Sequence, residues 1–337
     1  MIKLAQVGVG RWGKNLLRNF MQLEDCEVKY ICEADPKLRD AIKEQYPEAK
    51  KKIVSSFNKA LKDSEVEAVV IATPASTHFK LGMKALEAGK HVFIEKPIVL
   101  KINHLTKLIE KAKEKNKVLM EGHLLLYHGG VNCVRDTIKS GKLGDIYHIY
   151  FRRTNLGSIR FKENALWDFG PHDISVVYHL IDEQPAQVAA HGVGYLQEKI
   201  EEIVFTSIKF KSGKFAHLHE SWLDPHKDRK IIVVGSKGMI IMDELATDGK
   251  VKFIKKRVEK QDSEFEHERF KYHDEGVEVI EYEEVEPLRL ECQHYLDCIK
   301  NSNTPKSGGE NSVRVLKTLL AAQKSLEKDG YPVKWKA

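Results

Sequence analysis

Gly8, Gly10 and Gly13 stand in the spacing G-x-G-x-x-G directly after the apolar run Leu4-Ala5-Gln6-Val7. That spacing suits a pyrophosphate. The first glycine permits a tight turn and the second lets the backbone approach phosphate oxygens. The third lets a helix pack on a strand, with the N-terminal amides of the helix favouring negative charge. Arg11 and Trp12 fill the two positions before Gly13 and belong to the same turn. Glu33 follows Gly13 by 20 residues, at the expected end of the second strand. A carboxylate there accepts hydrogen bonds from the adenosine ribose hydroxyls and repels a 2′-phosphate. The expected cofactor is therefore NAD rather than NADP. Asp35, just before Pro36, reads instead as a helix cap.

Two further clusters carry chemistry. Thr73, Pro74 and His78 lie where the third main strand gives way to a helix, the place where ligands meet parallel sheets. The run His91–Glu95 is another apolar strand, and Glu95 and Lys96 stand at its carboxyl edge. A lysine placed there suits proton transfer and stabilisation of an oxyanion. Around residue 170, Trp167, Asp168 and His172 cluster at the start of an apolar helical stripe continued by Ile174, Val177 and Ile181. Pro171 is expected in the first turn of that helix. A histidine beside a carboxylate can pass a proton to or from a substrate hydroxyl.

The elements that must position these groups fall into two textures. Residues 1–122 alternate short β-like runs (3–9, 28–33, 68–73, 91–95 and 118–121) with amphipathic helical stretches (15–22, 38–45, 77–88 and 103–115). Such alternation implies right-handed βαβ units, a doubly wound parallel sheet of Rossmann type. Gly89 sits where a helix-terminating glycine belongs. Residues 123–337 form the expected second domain. Its strands at 145–154, 186–193, 203–211, 214–222, 230–234 and 238–243 follow one another with few helices between them. Ser212-Gly213 marks a hairpin, the sheet reads as mostly antiparallel, and helices near 288–300 and 311–328 end the chain. The charge-rich stretch 254–283 is either a mobile insertion or an edge hairpin. The fold class is thus α/β.

The chain has 55 lysines and arginines against 49 acids, a net charge of +6 spread along its length. The basic runs 50–52 and 255–257 read as solvated faces, so no nucleic-acid partner is expected. Five scattered cysteines without a CxxC read as free thiols in a reducing compartment, and no metal-like cluster is present. No signal peptide or membrane span is legible, and a cytoplasmic location is expected.

In this order and spacing, the GVGRWG turn, ATPASTH, EKP, and the D-x-x-x-H of WDFGPHDIS resemble the Gfo/Idh/MocA oxidoreductases over nearly the whole chain. The resemblance implies a C-terminal α/β domain with a large open-faced sheet used for homo-oligomerisation, as a dimer or tetramer. It implies hydride transfer between NAD(P) and a carbon bearing a hydroxyl or carbonyl on a sugar or cyclitol. Lys96, Asp168 and His172 are then the catalytic positions. A narrower likeness, carried by EGHLLLYHGGV and LGDIYHIYFRRTNLGSIR, is to nucleotide-sugar 3-dehydrogenases acting on UDP-N-acetylglucosamine or its uronate. It makes Asn155 and Arg160 candidates for holding the sugar or its diphosphate, beside Lys96, Trp167 and His172. Gly129 stands where related sequences often carry proline and is expected to loosen a loop. Inositol or other polyol dehydrogenation, ketosugar reduction, and a redox-inactive NAD-binding regulator remain alternatives.

Overall fold

The computed structural model describes residues 1–336. The chain opens with β1 (Ile2–Val7), α1 (Gly13–Gln22), β2 (Cys26–Cys32) and α2 (Pro36–Gln45), then a short 3-10 turn, β3 (Ile53–Val54) and α3 (Phe57–Lys62). There follow β4 (Ala68–Ile71), α4 (Ala75–Glu87), β5 (His91–Glu95), α5 (Ile102–Glu114) and β6 (Leu119–Gly122). These six strands form one parallel sheet in the order β3-β2-β1-β4-β5-β6. All four residues of β4 are buried, as a strand covered on both faces requires. Asp35 caps α2 by accepting the Lys37 amide at 2.8 Å. Gly89, with φ +71°, follows the end of α4.

The second half runs through α6 (Gly129–Lys139), β7 (Ile146–Thr154), α7 (Ala165–Leu180), β8 (Pro185–Val193), β9 (Ile203–Phe210) and β10 (Phe215–Ser221). It continues with β11 (Asp228–Gly235), β12 (Met239–Asp243), β13 (Val251–Lys260), β14 (Phe270–Val279), α8 (Pro287–Asn301), α9 (Glu310–Leu326) and β15 (Val333–Lys334). The nine strands β7–β15 make a mixed sheet ordered β14-β13-β12-β11-β7-β10-β9-β8-β15, in which β7 and β10 are the parallel pair. Alternation on β10 buries Ala216, Leu218 and Glu220 on one face, while Phe215, His217 and His219 occupy the other. The charge-rich stretch is the edge hairpin β13–β14, with Lys256 and Arg257 paired across it to Asp274 and Glu275.

Contacts divide the chain into two compact units, Met1–Tyr127 with Val285–Leu316, and His128–Glu284 with Lys317–Ala337. The segment 285–316, expected in the C-terminal domain, thus groups with the first unit. Its α8 brings Tyr295 edge-on to Phe20 of α1 and Phe93 of β5, with ring centroids 6.4 and 5.7 Å apart.

Two local expectations are corrected. α7 begins six residues before Pro171, because Asn164 caps it by accepting the Trp167 amide at 3.1 Å; Pro171 therefore lies inside the helix. Gly129 does not loosen a loop but starts α6. A Cβ there would come within 2.5 Å of the Tyr282 ring and 3.0 Å of the Glu283 carbonyl, so close packing demands glycine.

Candidate active site

In the first unit, the turn after β1 is held by contacts that tolerate no side chain. Gly8 has φ +91°, and a Cβ on it would meet the Ala72 carbonyl at 2.5 Å; one on Gly13 would meet the Gly8 carbonyl at 2.4 Å. Above Gly10 there is open space, the room that a pyrophosphate requires. The buried Gln6 amide donates to the carbonyls of Gly8 (3.0 Å) and Gly13 (2.6 Å) and so staples the turn. Sequence reasoning missed Gln6, since a polar residue inside a strand run carries no pattern of its own.

Glu33 lies directly after β2. One carboxylate oxygen accepts the Val9 amide at 2.9 Å and the other the Asp35 amide at 3.0 Å, which fixes the acid against the turn. A cleft of about 510 Å³ runs alongside, lined by Gly8, Glu33, Thr73, Pro74, Thr77 and Lys80. Open backbone above Gly10 and a fixed acid at the second strand end together fit a dinucleotide. Thr73 and Thr77 share a hydroxyl contact of 2.7 Å. His78 is buried, with Nε2 on the Thr73 carbonyl (2.7 Å) and Nδ1 on the Pro97 carbonyl (2.9 Å). It joins the residues that follow β4 and β5 through its two ring nitrogens.

At the carboxyl end of β5 the acids accumulate. Glu95 accepts the Trp12 indole N–H at 2.7 Å on one oxygen and the Lys96 amide at 3.1 Å on the other. The exposed Trp12 of the phosphate turn is thereby tied to the main chain of the half-buried Lys96. Burial pushes the Glu95 carboxyl up to about 7, against the Trp12 hydrogen bond and the Lys96 charge. On β6, burial would raise Glu121, but the neighbouring His123 at 3.2 Å holds its carboxyl below the usual value. Glu291 of α8 is raised well above it by burial and then by Glu95 and Glu121. The sequence singled out Glu95 and missed Glu121, His123 and Glu291; the strand-end run Glu121-Gly122-His123 was the available signal.

The second unit assembles around the start of α7. Asp168 accepts the Trp222 indole N–H at 3.1 Å, and Arg160 approaches its two oxygens at 3.3 and 3.4 Å. His172 lies one helical turn further on and is half-buried. Trp167 donates its indole N–H to Gln323 at 3.0 Å. Asn155 accepts Arg229 at 2.7 Å, and the Arg229 guanidinium lies over the Phe169 ring, 5.5 Å from its centroid. Beneath α7, the half-buried Arg153 of β7 pairs with the fully buried Asp173 at 2.7 Å. Glu220 of β10 is fully buried, and burial, followed by the charge of Asp173, raises its carboxyl well above the usual range. This inner layer was not legible in the sequence, because its members come from separate strands. Among the described residues, no group of three or more His, Cys, Asp or Glu side chains is arranged to hold a metal ion.

A family profile described as "Oxidoreductase family, NAD-binding Rossmann fold" matches residues 2–123, and one for the GFO/IDH/MocA C-terminal domain matches residues 131–241. The chain is 30% identical to 2,7-anhydro-N-acetylneuraminate hydratase of Escherichia coli (strain K12), over 75% of this chain and 70% of that protein. It is 25% identical to scyllo-inositol 2-dehydrogenase (NAD(+)) of Bacillus subtilis (strain 168), over 98% and 96% of the two chains. Among solved structures, UDP-N-acetylglucosamine 3-dehydrogenase from Acidithiobacillus ferrooxidans superimposes with a TM-score of 0.81 at 20% identity, over 97% of this chain and 98% of that one.

Proposed function

Because this chain belongs to the Gfo/Idh/MocA family of NAD-binding oxidoreductases, we propose that it transfers a hydride between NAD and a ring secondary alcohol, specifically C3 of a UDP-linked N-acetylhexosamine or its uronate. The observation that carries the catalytic reading is the Glu95 bridge, which joins the phosphate turn at Trp12 to the main chain of Lys96. Bound NAD supplies the hydride acceptor. His172 takes the hydroxyl proton, with Asp168 of the same helix orienting it. Lys96 positions the hydroxyl and stabilises the alkoxide as it develops; lysine and histidine exchange these parts if the substrate binds the other way round. Glu33 favours NAD over NADP.

Arg160 and Asn155 are the groups that support the nucleotide-sugar reading. To hold a diphosphate, Arg160 must exchange Asp168 for phosphate oxygens, which a planar guanidinium does at little geometric cost. A second reading is an unphosphorylated cyclitol. It is favoured by the inositol dehydrogenase likeness, which extends over 98% of this chain. The five free cysteines suit a cytoplasmic location as part of the same proposal.

A panel of UDP-N-acetylglucosamine, its uronate, myo-inositol and scyllo-inositol, followed by the absorbance of reduced nicotinamide, separates these readings. Turnover on the UDP sugars alone supports the first reading, and turnover on the inositols alone supports the second. Inertness of the whole panel despite stoichiometric NAD would favour a redox-inactive regulator.

A further inference from the structure

Glu95 does more in this arrangement than tie two segments together. The residue is buried, 8% exposed, at the end of β5. The charged and titratable groups around it are Lys96 next in the chain, His123 just past β6, and Glu291 and Cys292 of α8, with Glu121 of β6 behind Glu291. Trp12, from the turn before α1, supplies a hydrogen bond without charge. No room separates the acid from β6, since a Cβ on Gly122 would lie 3.0 Å from the Glu95 carboxylate.

The place of β5 in the sheet gives this acid its meaning. Strand order reverses between β1 and β4, and a dinucleotide lies across such a switch point with its two halves over the two halves of the sheet. With Glu33 and β2 on the side that would take the adenosine half, β5 and Glu95 are on the side that would take the nicotinamide half. The two forms of the cofactor differ there by one charge, because the oxidised ring is a cation and the reduced ring is neutral. A carboxyl group held near neutrality and poorly screened by water responds to that difference.

We propose that Glu95 distinguishes the two redox forms of the cofactor: its carboxylate is ionised beneath the oxidised ring and takes up a proton when the reduced ring replaces it. The inference rests on NAD binding by the first unit. Across one oxidation the substrate C–H bond breaks and its electron pair leaves with the hydride for the ring. The hydroxyl proton passes first to His172; when His172 gives it up and Glu95 takes up one proton, no net proton leaves the protein and the lost charge of the ring is offset by the lost charge of the carboxylate. Linkage fixes the sign. NAD+ binding expels the Glu95 proton and tightens as pH rises through about 7, whereas NADH binding retains that proton and weakens over the same range.

Calorimetric titration of the full-length protein with NAD+ and with NADH, in buffers of different ionisation enthalpy, tests this directly. The wild type is expected to show a ratio of the NADH to the NAD+ dissociation constant that rises roughly tenfold from about pH 6 to about pH 8, matching a one-unit shift. It should also release a fraction of a proton on binding NAD+. In Glu95→Gln the ratio should be flat and the proton release absent. Trp12→Phe, which removes the hydrogen bond that favours the ionised acid, should move the midpoint upward, and this variant serves if Glu95→Gln does not fold. A pH-independent ratio in the wild type, or an unchanged pH response in Glu95→Gln, overturns the proposal. Failure of the wild type to bind either form contradicts the cofactor reading itself.

Discussion

Lys96→Met removes an ammonium group from a strand end while leaving the phosphate turn, Glu33 and the Glu95 acceptor in place. NAD+ affinity measured by titration is expected to stay within about threefold, and turnover to fall by at least ~10³-fold, the scale of losing a general acid–base or oxyanion partner. Unchanged turnover refutes the assigned role. Glu33→Ala removes the acceptor of the Val9 and Asp35 amides together with the charge that repels a 2′-phosphate. The expected result is an NAD+ dissociation constant raised about tenfold and a smaller preference over NADP+, read by tryptophan fluorescence. At this scale the glycines were legible because sterics dictate them, and Glu33 because its spacing from Gly13 is set by one βαβ unit. The buried set of Glu121, His123 and Glu291 was not. Each looks like a solvated strand or helix residue until α8 returns, far along the chain, to cover it.

Helix α7 shows what an element can and cannot reveal before folding. Its apolar stripe was readable, yet Pro171 pointed to the wrong start, because a proline suits a first turn and Asn164 gave no comparable signal. Asn164→Ala should cost about 1 kcal/mol in thermal unfolding through loss of the cap. Below the helix, Asp173→Ala leaves the half-buried Arg153 without its carboxylate and should destabilise by about 3 kcal/mol. Glu220 gives a pH-dependent contrast. Its carboxyl is raised in the folded state, so ionisation opposes folding increasingly as pH climbs above the unfolded value of 4.5. Glu220→Gln removes that penalty, and its gain in Tm should be small near pH 5 and larger near pH 8. A gain independent of pH contradicts the buried-acid account. Strand placement is legible because alternation on β9 and β10 and the Gly213 turn are local signals. The parallel pairing of β7 with β10 is non-local, and a mostly antiparallel reading does not say which pair departs from it.

On the scale of the whole molecule, the mixed sheet leaves one face with aromatic and histidine side chains at its surface. Phe205, 41% exposed, stacks on His219 at 4.3 Å, and Tyr150 and His217 stack nearby at 5.7 Å. A second copy of the chain is the occupant proposed for this face. Sedimentation at micromolar concentration should give a dimer or tetramer, and Phe205→Glu should shift it toward monomer with the thermal transition retained. The net charge of +6 is spread along the chain, and much of the basic run 255–257 is answered within its own hairpin by exposed, solvent-screened pairs. The proposed chemistry is hydride transfer to NAD from a ring alcohol by means of Lys96. Its most direct test is the absorbance of reduced nicotinamide when wild type and Lys96→Met, each saturated with NAD+, meet the UDP-sugar and inositol panel. Reduced cofactor is expected to form with at least one substrate in the wild type and at least ~10³-fold more slowly in the variant. Equal rates in the two proteins, or no reduction by any sugar or cyclitol, would contradict it.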